Sequence, residues 1–320
     1  MHRYFSHGKL LLTGEYVVLD GALSLGLPTK YGQSLHIESV SESQLSWRSL
    51  DEKGAIWFEA LFNTVNNDIV TSFSKDQNIS DRLIQILNVA KQLNPSFLNL
   101  NTGLKVTTKL DFDNSWGLGT SSTLINNIAQ WAQVDPYMLL EQTFGGSGYD
   151  IACAQHDKPI SYQILNVSNI ADNAKKRHIA EVDFNPPYAE HLYFVHLNKK
   201  QNSREGIRHY HTEKRNFSSA VDDISTITSE VIASRTLSDF EVLISEHEHL
   251  ISMITKQTPV KTLLFSDFEG HIKSLGAWGG DFILVTSKSD PSTYFKDKGY
   301  QTVIPYNDMI LNMAQATHMK

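Results

Sequence analysis

Residues 103–122 constrain this chain more than any other stretch. Leu104, Val106, Thr108, Leu110 and Phe112 alternate with their neighbours, the period of a half-buried strand over 103–112. The strand runs into Asn114-Ser-Trp-Gly-Leu-Gly-Thr-Ser-Ser122, after which Leu124, Ile125, Ile128 and Ala132 recur at helical spacing. A strand feeding a glycine loop that opens a helix gathers unpaired backbone N–H groups at the positive end of a helix dipole. Glycine lets the backbone approach an anion closely, and Thr120, Ser121 and Ser122 can cap the helix or reach a metal. Taken alone, the same segment also fits an ordinary Ser/Thr helix cap. Two familiar phosphate signatures fail here: the Gly-Lys-Ser/Thr of a Walker loop is absent, and Ser122 stands where the dinucleotide fingerprint needs its third glycine.

Charge narrows what such a loop can serve. The 320 residues carry 28 Lys+Arg against 35 Asp+Glu, a formal charge of −7, which argues against nucleic acid as a partner. Any phosphate should therefore be held locally. With 41% hydrophobic and 20% charged residues the chain can build a core, and its length suggests two domains. No apolar run approaches the ~20 residues of a membrane span, and Thr13 and Glu15 interrupt any signal-peptide core. The single Cys153 allows neither an internal disulfide nor a CxxC metal site. A cytoplasmic protein is expected, with no membrane partner.

The rest of the chain reads as mixed helix and sheet, of α+β class. Glycines at 8, 14, 21, 26 and 32 punctuate short buried strands. Segments 34–40, 44–47 and 56–61 are expected to be successive strands of an antiparallel sheet. A helix is expected over 80–93, capped by Ser80 and stopped by Pro95; Asp135 and Pro136 start another, ended by Gly145 and Gly146. Strands are expected over 160–165, 191–197 and 282–286, a polar loop over 198–205, and long helices over 217–234 and 239–254. Pro186 and Pro187 suggest a boundary near residue 185, giving domains over 1–185 and 186–320. His209, His211, His247 and His249 lack zinc-site spacing and read as surface or partly packed residues.

Four segments acquire meaning as an ordered set. Gly8-Lys-Leu-Leu-Leu-Thr-Gly-Glu-Tyr-Val-Val-Leu-Asp-Gly21 resembles the first motif of the GHMP kinases, which include galactokinase, homoserine kinase, mevalonate kinase and phosphomevalonate kinase. Gly117-Leu-Gly-Thr-Ser-Ser122 resembles their phosphate-binding motif, and Gly276-Ala-Trp-Gly-Gly-Asp281 their third, glycine-rich motif. Ser147-Gly-Tyr-Asp-Ile-Ala152 is similar to the segment holding their catalytic aspartate. Gly-Glu-Tyr at 14–16 and the closing Asp281 lean toward phosphomevalonate kinases. Two features depart from the pattern: Trp278 replaces a glycine, where its bulk would crowd phosphates or stack nearby, and Asn114-Ser-Trp replaces the usual lead into the second motif.

The resemblance implies the two-domain GHMP kinase fold, with an N-terminal domain like domain 2 of ribosomal protein S5 and a ferredoxin-like C-terminal domain. It implies an ATP- and Mg²⁺-dependent kinase of a small-molecule substrate, mevalonate or 5-phosphomevalonate, in isoprenoid precursor synthesis, and it is compatible with a homodimer. ATP is expected over Gly117, Leu118, Gly119, Thr120, Ser121 and Ser122. Asp150 is expected to accept or orient the substrate proton, with Lys9 holding it ionised and offsetting charge on the transferred group. Ser121 and Glu141 are the metal candidates. Substrate contacts are expected from Glu15, Tyr16, Ser147, Gly148, Gly279 and Gly280; Lys200, Ser203 and Arg204 would serve a substrate phosphate. Other readings are diphosphomevalonate decarboxylase, a homoserine or sugar kinase, or a catalytically silent ligand-binding protein of the same fold.

Overall fold

A computed structural model describes residues 1–41, 44–65, 68–98, 103–165, 176–201, 203–213 and 218–311. They form two compact units interleaved along the chain: 1–8, 31–114 and 118–155 in the first, 9–30, 115–117 and 156–320 in the second. A single cut near residue 185 does not describe this division. Two long strands, β1 (His2–Thr13) and β2 (Ser24–Val40), contribute to both units, which a boundary drawn from proline punctuation cannot register.

In the first unit, β3 (Leu45–Leu50), β4 (Ile56–Val65) and β5 (Asp68–Ser74) form a meander, followed by α1 (Gln77–Leu93) and β6 (Gly103–Leu110). The strand order is β5-β4-β3-β6-β2. β6 inserts between β2 and β3, pairing antiparallel with β2 and parallel with β3, so the expected sequential antiparallel order is incorrect. Val106 and Leu110 face the core, and buried Thr108 bonds Ser49 Oγ at 3.0 Å, so one hydroxyl is tolerated among apolar groups.

The helices α2 (Thr120–Ala132), α3 (Pro136–Glu141) and α4 (Tyr149–Gln155) complete this unit, α2 packing against α1, α3 and α4. Ile125, Ile128, Leu83, Leu87 and Ile151 share its core with Trp47 and Phe62. α3 begins as expected: the Asp135 side chain accepts from Tyr137 N at 2.8 Å with Pro136 at the first position. α1 starts earlier than expected. Asp76, not Ser80, is its cap, accepting from Asn78 N and Ile79 N, while buried Ser80 meets Thr71 on β5 at 2.7 Å.

In the second unit the early half of β2 pairs with β7 (Ile160–Leu165), and β7 with β8 (Lys176–Glu181). Then follow β9 (Leu192–His196), α5 (Ser203–Glu213), α6 (Ser218–Ala233), α7 (Leu237–Thr255), α8 (Val260–Leu264), β10 (Ile272–Ser274), β11 (Phe282–Thr286), α9 (Ser292–Asp297), β12 (Val303–Pro305) and α10 (Tyr306–Met309). The last four strands pair antiparallel in the order β10-β11-β9-β12. Strand, helices, two strands, helix, strand in that order is the ferredoxin-like arrangement. The stretch expected to be a polar loop over 198–205 gives way to α5 at Ser203, whose few apolar residues left no helical stripe to read.

Candidate active site

The glycine loop is shaped by its own backbone. Gly119 caps α2 with φ of 94°, a left-handed conformation, and its carbonyl accepts from Thr123 N at 3.0 Å. The N–H groups of the first helical turn are then left without intrahelical partners, which suits a phosphate. The three hydroxyls of the loop have different fates. Thr120 donates to Asn114 Oδ1 at 3.2 Å, and buried Ser122 turns back to the Gly119 carbonyl at 2.8 Å. Ser121 is exposed, so it is the hydroxyl free to meet a metal held with phosphate oxygens. Leu118, in contrast, is buried and anchors the loop through its side chain.

A buried polar lattice behind the loop fixes α2, and sequence reasoning missed it. Ser6 donates to Asn127 Oδ1 at 2.8 Å and accepts from Asn126 Nδ2 at 2.9 Å. Asn127 Nδ2 donates to the Gln33 carbonyl, and Thr123 to Gln33 Oε1, both at 2.9 Å. These bonds tie the helix to β1 and β2 and hold its orientation, because satisfied buried polar groups are costly to move. Gln33, Asn126 and Asn127 left no motif; their only signal was polarity on faces that otherwise read as apolar.

Also in the first unit, Asp150 lies in the first turn of α4, half-buried, with Oδ1 accepting from its neighbour Ile151 N at 3.2 Å. Ser147 and Gly148 lead into that helix; both are buried, and the Gly148 carbonyl accepts from Ala152 N at 3.1 Å. Glu141 ends α3, half-buried. Among the described residues no group of three His, Cys, Asp or Glu side chains forms a metal cage. The oxygen donors present, the exposed Ser121 hydroxyl and the half-buried Glu141 and Asp150 carboxylates, are of the kind Mg²⁺ takes, since it retains several waters and needs few protein ligands.

The second unit brings the first and third motifs to the start of the second. Lys9 Nζ donates to the Gly117 carbonyl at 2.9 Å. Asp281 sits against the other side of Gly117: a Cβ there would collide with the Asp281 carboxylate, and φ is 68°. Asp281 in turn accepts from Gln201 N at 3.1 Å and donates its own N–H to the Lys199 carbonyl at 2.7 Å. The departure Asn114-Ser-Trp has a structural use here. Ser115 carbonyl lies 3.2 Å from His196 Nε2, and Trp116 meets Phe282 edge-on at 5.6 Å, so the lead into the loop is clamped to β9 and β11. Gly117→Ala should cost about 1–2 kcal/mol from the left-handed backbone alone, with displacement of Asp281 added. Urea denaturation checks this; an unchanged midpoint would show that the Gly117–Asp281 contact constrains nothing.

Trp278 has its bulk taken up inside the second unit. It is 1% exposed, its side chain is packed inside the unit, and its carbonyl accepts from Gln201 Nε2 at 2.5 Å. The cost appears in the backbone, with φ of 52°, and in a buried indole N–H without a partner among the described residues. Gly279 is exposed, and Gly280 is buried where a side chain would strike Gln201 and the Lys199 carbonyl. Lys200 is exposed. Ser203 and Arg204 open α5, and their side chains lie outside the described set.

Glu15 and Tyr16 part company. Tyr16, 6% exposed with φ of 63°, stacks on Tyr210 of α5 at 5.5 Å, and its hydroxyl abuts Gly206. That hydroxyl points toward Gln257 but forms no well-made hydrogen bond, and burial raises its pKa. Glu15, expected to touch substrate, is instead 1% exposed and ion-paired with Lys273 of β10. His247, read as a surface or partly packed residue, is wholly buried beside them; its Nε2 accepts from Gly14 N at 2.9 Å. Apolar positions on both sides of His247 in α7 were the available signal for its burial.

No protein-family model matches the chain, and no curated protein matches it. Solved structures do. Mevalonate kinase from Methanococcus jannaschii superposes with a TM-score of 0.65 at 15% identity, over 94% of this chain and 96% of that one. This is the GHMP kinase fold. Phosphomevalonate kinase from Streptococcus pneumoniae, in complex with phosphomevalonate and AMPPNP, gives 0.64 at 14% identity over 97% and 98%. Galactokinase from Lactococcus lactis, complexed with galactose, gives 0.62 at 11% over 97% and 93%. At such low identity, coverage of 93% or more of each chain shows a shared fold from end to end.

Proposed function

We propose that this chain is an ATP-dependent small-molecule kinase acting on mevalonate or 5-phosphomevalonate in isoprenoid precursor synthesis. The observation that carries the reading is the retention of Lys9, the Gly117–Ser122 loop with its free Ser121, and Asp150 within a GHMP fold of full length. A protein that merely binds a ligand does not require this set, which counts against the silent-sensor alternative.

In this reading the N–H groups of the α2 first turn hold the nucleotide phosphates, and Lys9 places positive charge at the Gly117 end of the loop. Ser121, with Glu141 as the carboxylate candidate, would hold Mg²⁺, which would supply positive charge to offset that of the phosphate oxygens. Asp150 accepts or orients the proton of the acceptor oxygen, which attacks the γ-phosphorus as the bond to the β-phosphate oxygen breaks, releasing ADP. Ser147 and Gly148 of the first unit, and Tyr16, Gly279 and Gly280 of the second, are the candidate acceptor contacts in this account. Lys200 and Arg204, beside Ser203, grip the phosphate of 5-phosphomevalonate.

The purified protein with ATP and Mg²⁺ should release ADP with mevalonate or 5-phosphomevalonate and not with diphosphomevalonate, galactose or homoserine. ADP release with none of the five would refute the kinase reading; CO₂ from diphosphomevalonate would favour the decarboxylase. If the acceptor is 5-phosphomevalonate, Lys200→Gln combined with Arg204→Gln should raise its KM about tenfold or more, as lost charge-assisted hydrogen bonds predict. Unchanged kinetics would remove these two residues from the site.

A further inference from the structure

The turn that carries Tyr16 rests on a cluster of buried ionisable groups that the proposed chemistry does not use. Glu15 Oε1 accepts from Lys273 Nζ, which also donates to the Ser274 carbonyl at 3.0 Å. Glu248 accepts from Ser274 N at 3.1 and 3.0 Å on its two oxygens, and from Ser274 Oγ at 2.7 Å. Glu15 Oε2 lies 3.3 Å from His247 Nε2 with no hydrogen-bond partner. Glu15, His247 and Lys273 are at most 1% exposed and Glu248 is 5% exposed.

Two carboxylates thus lie near one ammonium in a buried setting, which favours a net-neutral arrangement with one proton on a carboxylate. The hydrogen bonds say which one. Every contact to Glu248 comes from a donor, which stabilises its ionised form. The Gly14 N–H already points at His247 Nε2, so that nitrogen presents a lone pair and the ring proton is on Nδ1. An ionised Glu15 Oε2 would sit 3.3 Å from that occupied nitrogen with no donor to offset its charge, whereas a protonated one carries no charge to offset.

We propose that Glu15 is a buried carboxylic acid, protonated at the Oε2 that no donor reaches, and that this proton stabilises the Gly14–Glu15–Tyr16 turn. The groups facing it are Lys273 from β10, His247 and Glu248 from α7, and its neighbour Tyr16. The electrostatics agree: burial pushes Glu15 up to about 7 against the Lys273 charge, burial also raises Glu248, and burial followed by Lys273 holds His247 well below its ordinary value, hence neutral. A proton bound more tightly by the folded than by the unfolded protein adds stability that is complete below the ordinary value of 4.5 and is lost as pH rises through about 7.

Glu15→Gln is the informative variant, since its neutral amide stands in for the uncharged acid and its carbonyl still accepts from Lys273. Its Tm should match the wild type at about pH 5 and exceed it at about pH 8. Infrared spectra of the wild-type protein at about pH 6 should show a protonated-carboxyl band that the variant lacks. Amide exchange at 14–18, corrected for its intrinsic pH dependence, should accelerate through neutrality in the wild type only. A Tm below the wild type at both pH values, or no carboxyl band in the wild type, would overturn the proposal. If the variant is too unstable to purify, Glu248→Gln decides: the band should persist there, and its loss would assign the proton to Glu248 and overturn the proposal. A positioning role for Glu15 toward an acceptor at Tyr16 rests on the kinase reading. There, acceptor KM should rise with pH in the wild type and stay level in the variant, with KM for ATP unmoved in both. Equal pH dependence of acceptor KM would exclude that role without touching the infrared and stability results, which hold or fail whether or not the chain is a kinase.

Discussion

Asp150→Asn should lower kcat roughly 10²–10⁴-fold, the range by which a positioned proton acceptor speeds transfer, while leaving affinity for ATP close to that of the wild type. The reason is chemical. Asparagine keeps the shape and the bond from Ile151 N to its side-chain oxygen, but its amide cannot take the acceptor's proton. ATP contacts in the proposed account come from the α2 first turn and Lys9, neither of which this change alters. Equilibrium binding of a fluorescent ATP analogue, with single-turnover kinetics, separates the two effects. Turnover within a factor of a few of the wild type would mean that another group receives the proton, or that the acceptor needs no base.

The second large effect is on stability. Lys273→Met should destabilise the protein by about 3–5 kcal/mol near neutral pH, the usual consequence of removing one partner from a buried ion pair. Lys273 is the one cation beside Glu15 and Glu248 among the described groups, and methionine leaves the negative charge of the cluster without compensation. The loss should shrink as pH falls, because both carboxyls are then protonated at less cost; without the Lys273 charge, the pKa of each moves further up. Chemical denaturation at several pH values reads both the size and the trend. A small loss that does not change with pH would mean that Lys273 is hydrated in solution and not the centre of a dry cluster.

These predictions draw on features of unequal legibility in the sequence. Asp135-Pro136 gave the start of α3, and the glycines around Leu118 gave the loop, because capping and left-handed turns are decided by residues a few positions apart. The apolar stripe of α7 was equally plain, and the long helices fall close to the expected 217–234 and 239–254. The fold as a whole was reached through four separated motifs, not through any single periodicity.

What escaped was non-local. Glu15 and Lys273 are 258 positions apart, and nothing in either neighbourhood announces the other. A lysine between Ile272 and Leu275 was the one trace: a charge within an apolar strand must find a partner or remain at the surface. The insertion of β6 between β2 and β3 escaped for the same reason, since alternation fixes which face of a strand is buried and not which strand lies beside it. At Trp278, size suggested obstruction, but a left-handed backbone turns the ring into the interior.

The central claim, phosphoryl transfer from ATP to a mevalonate-type acceptor, is tested most directly by following the phosphorus itself. In a ³¹P NMR time course with ATP, Mg²⁺ and each acceptor separately, one of them should yield a new phosphoester or diphosphate resonance growing in step with ADP. ADP accumulating with inorganic phosphate alone, or no change with either mevalonate or 5-phosphomevalonate, would contradict it.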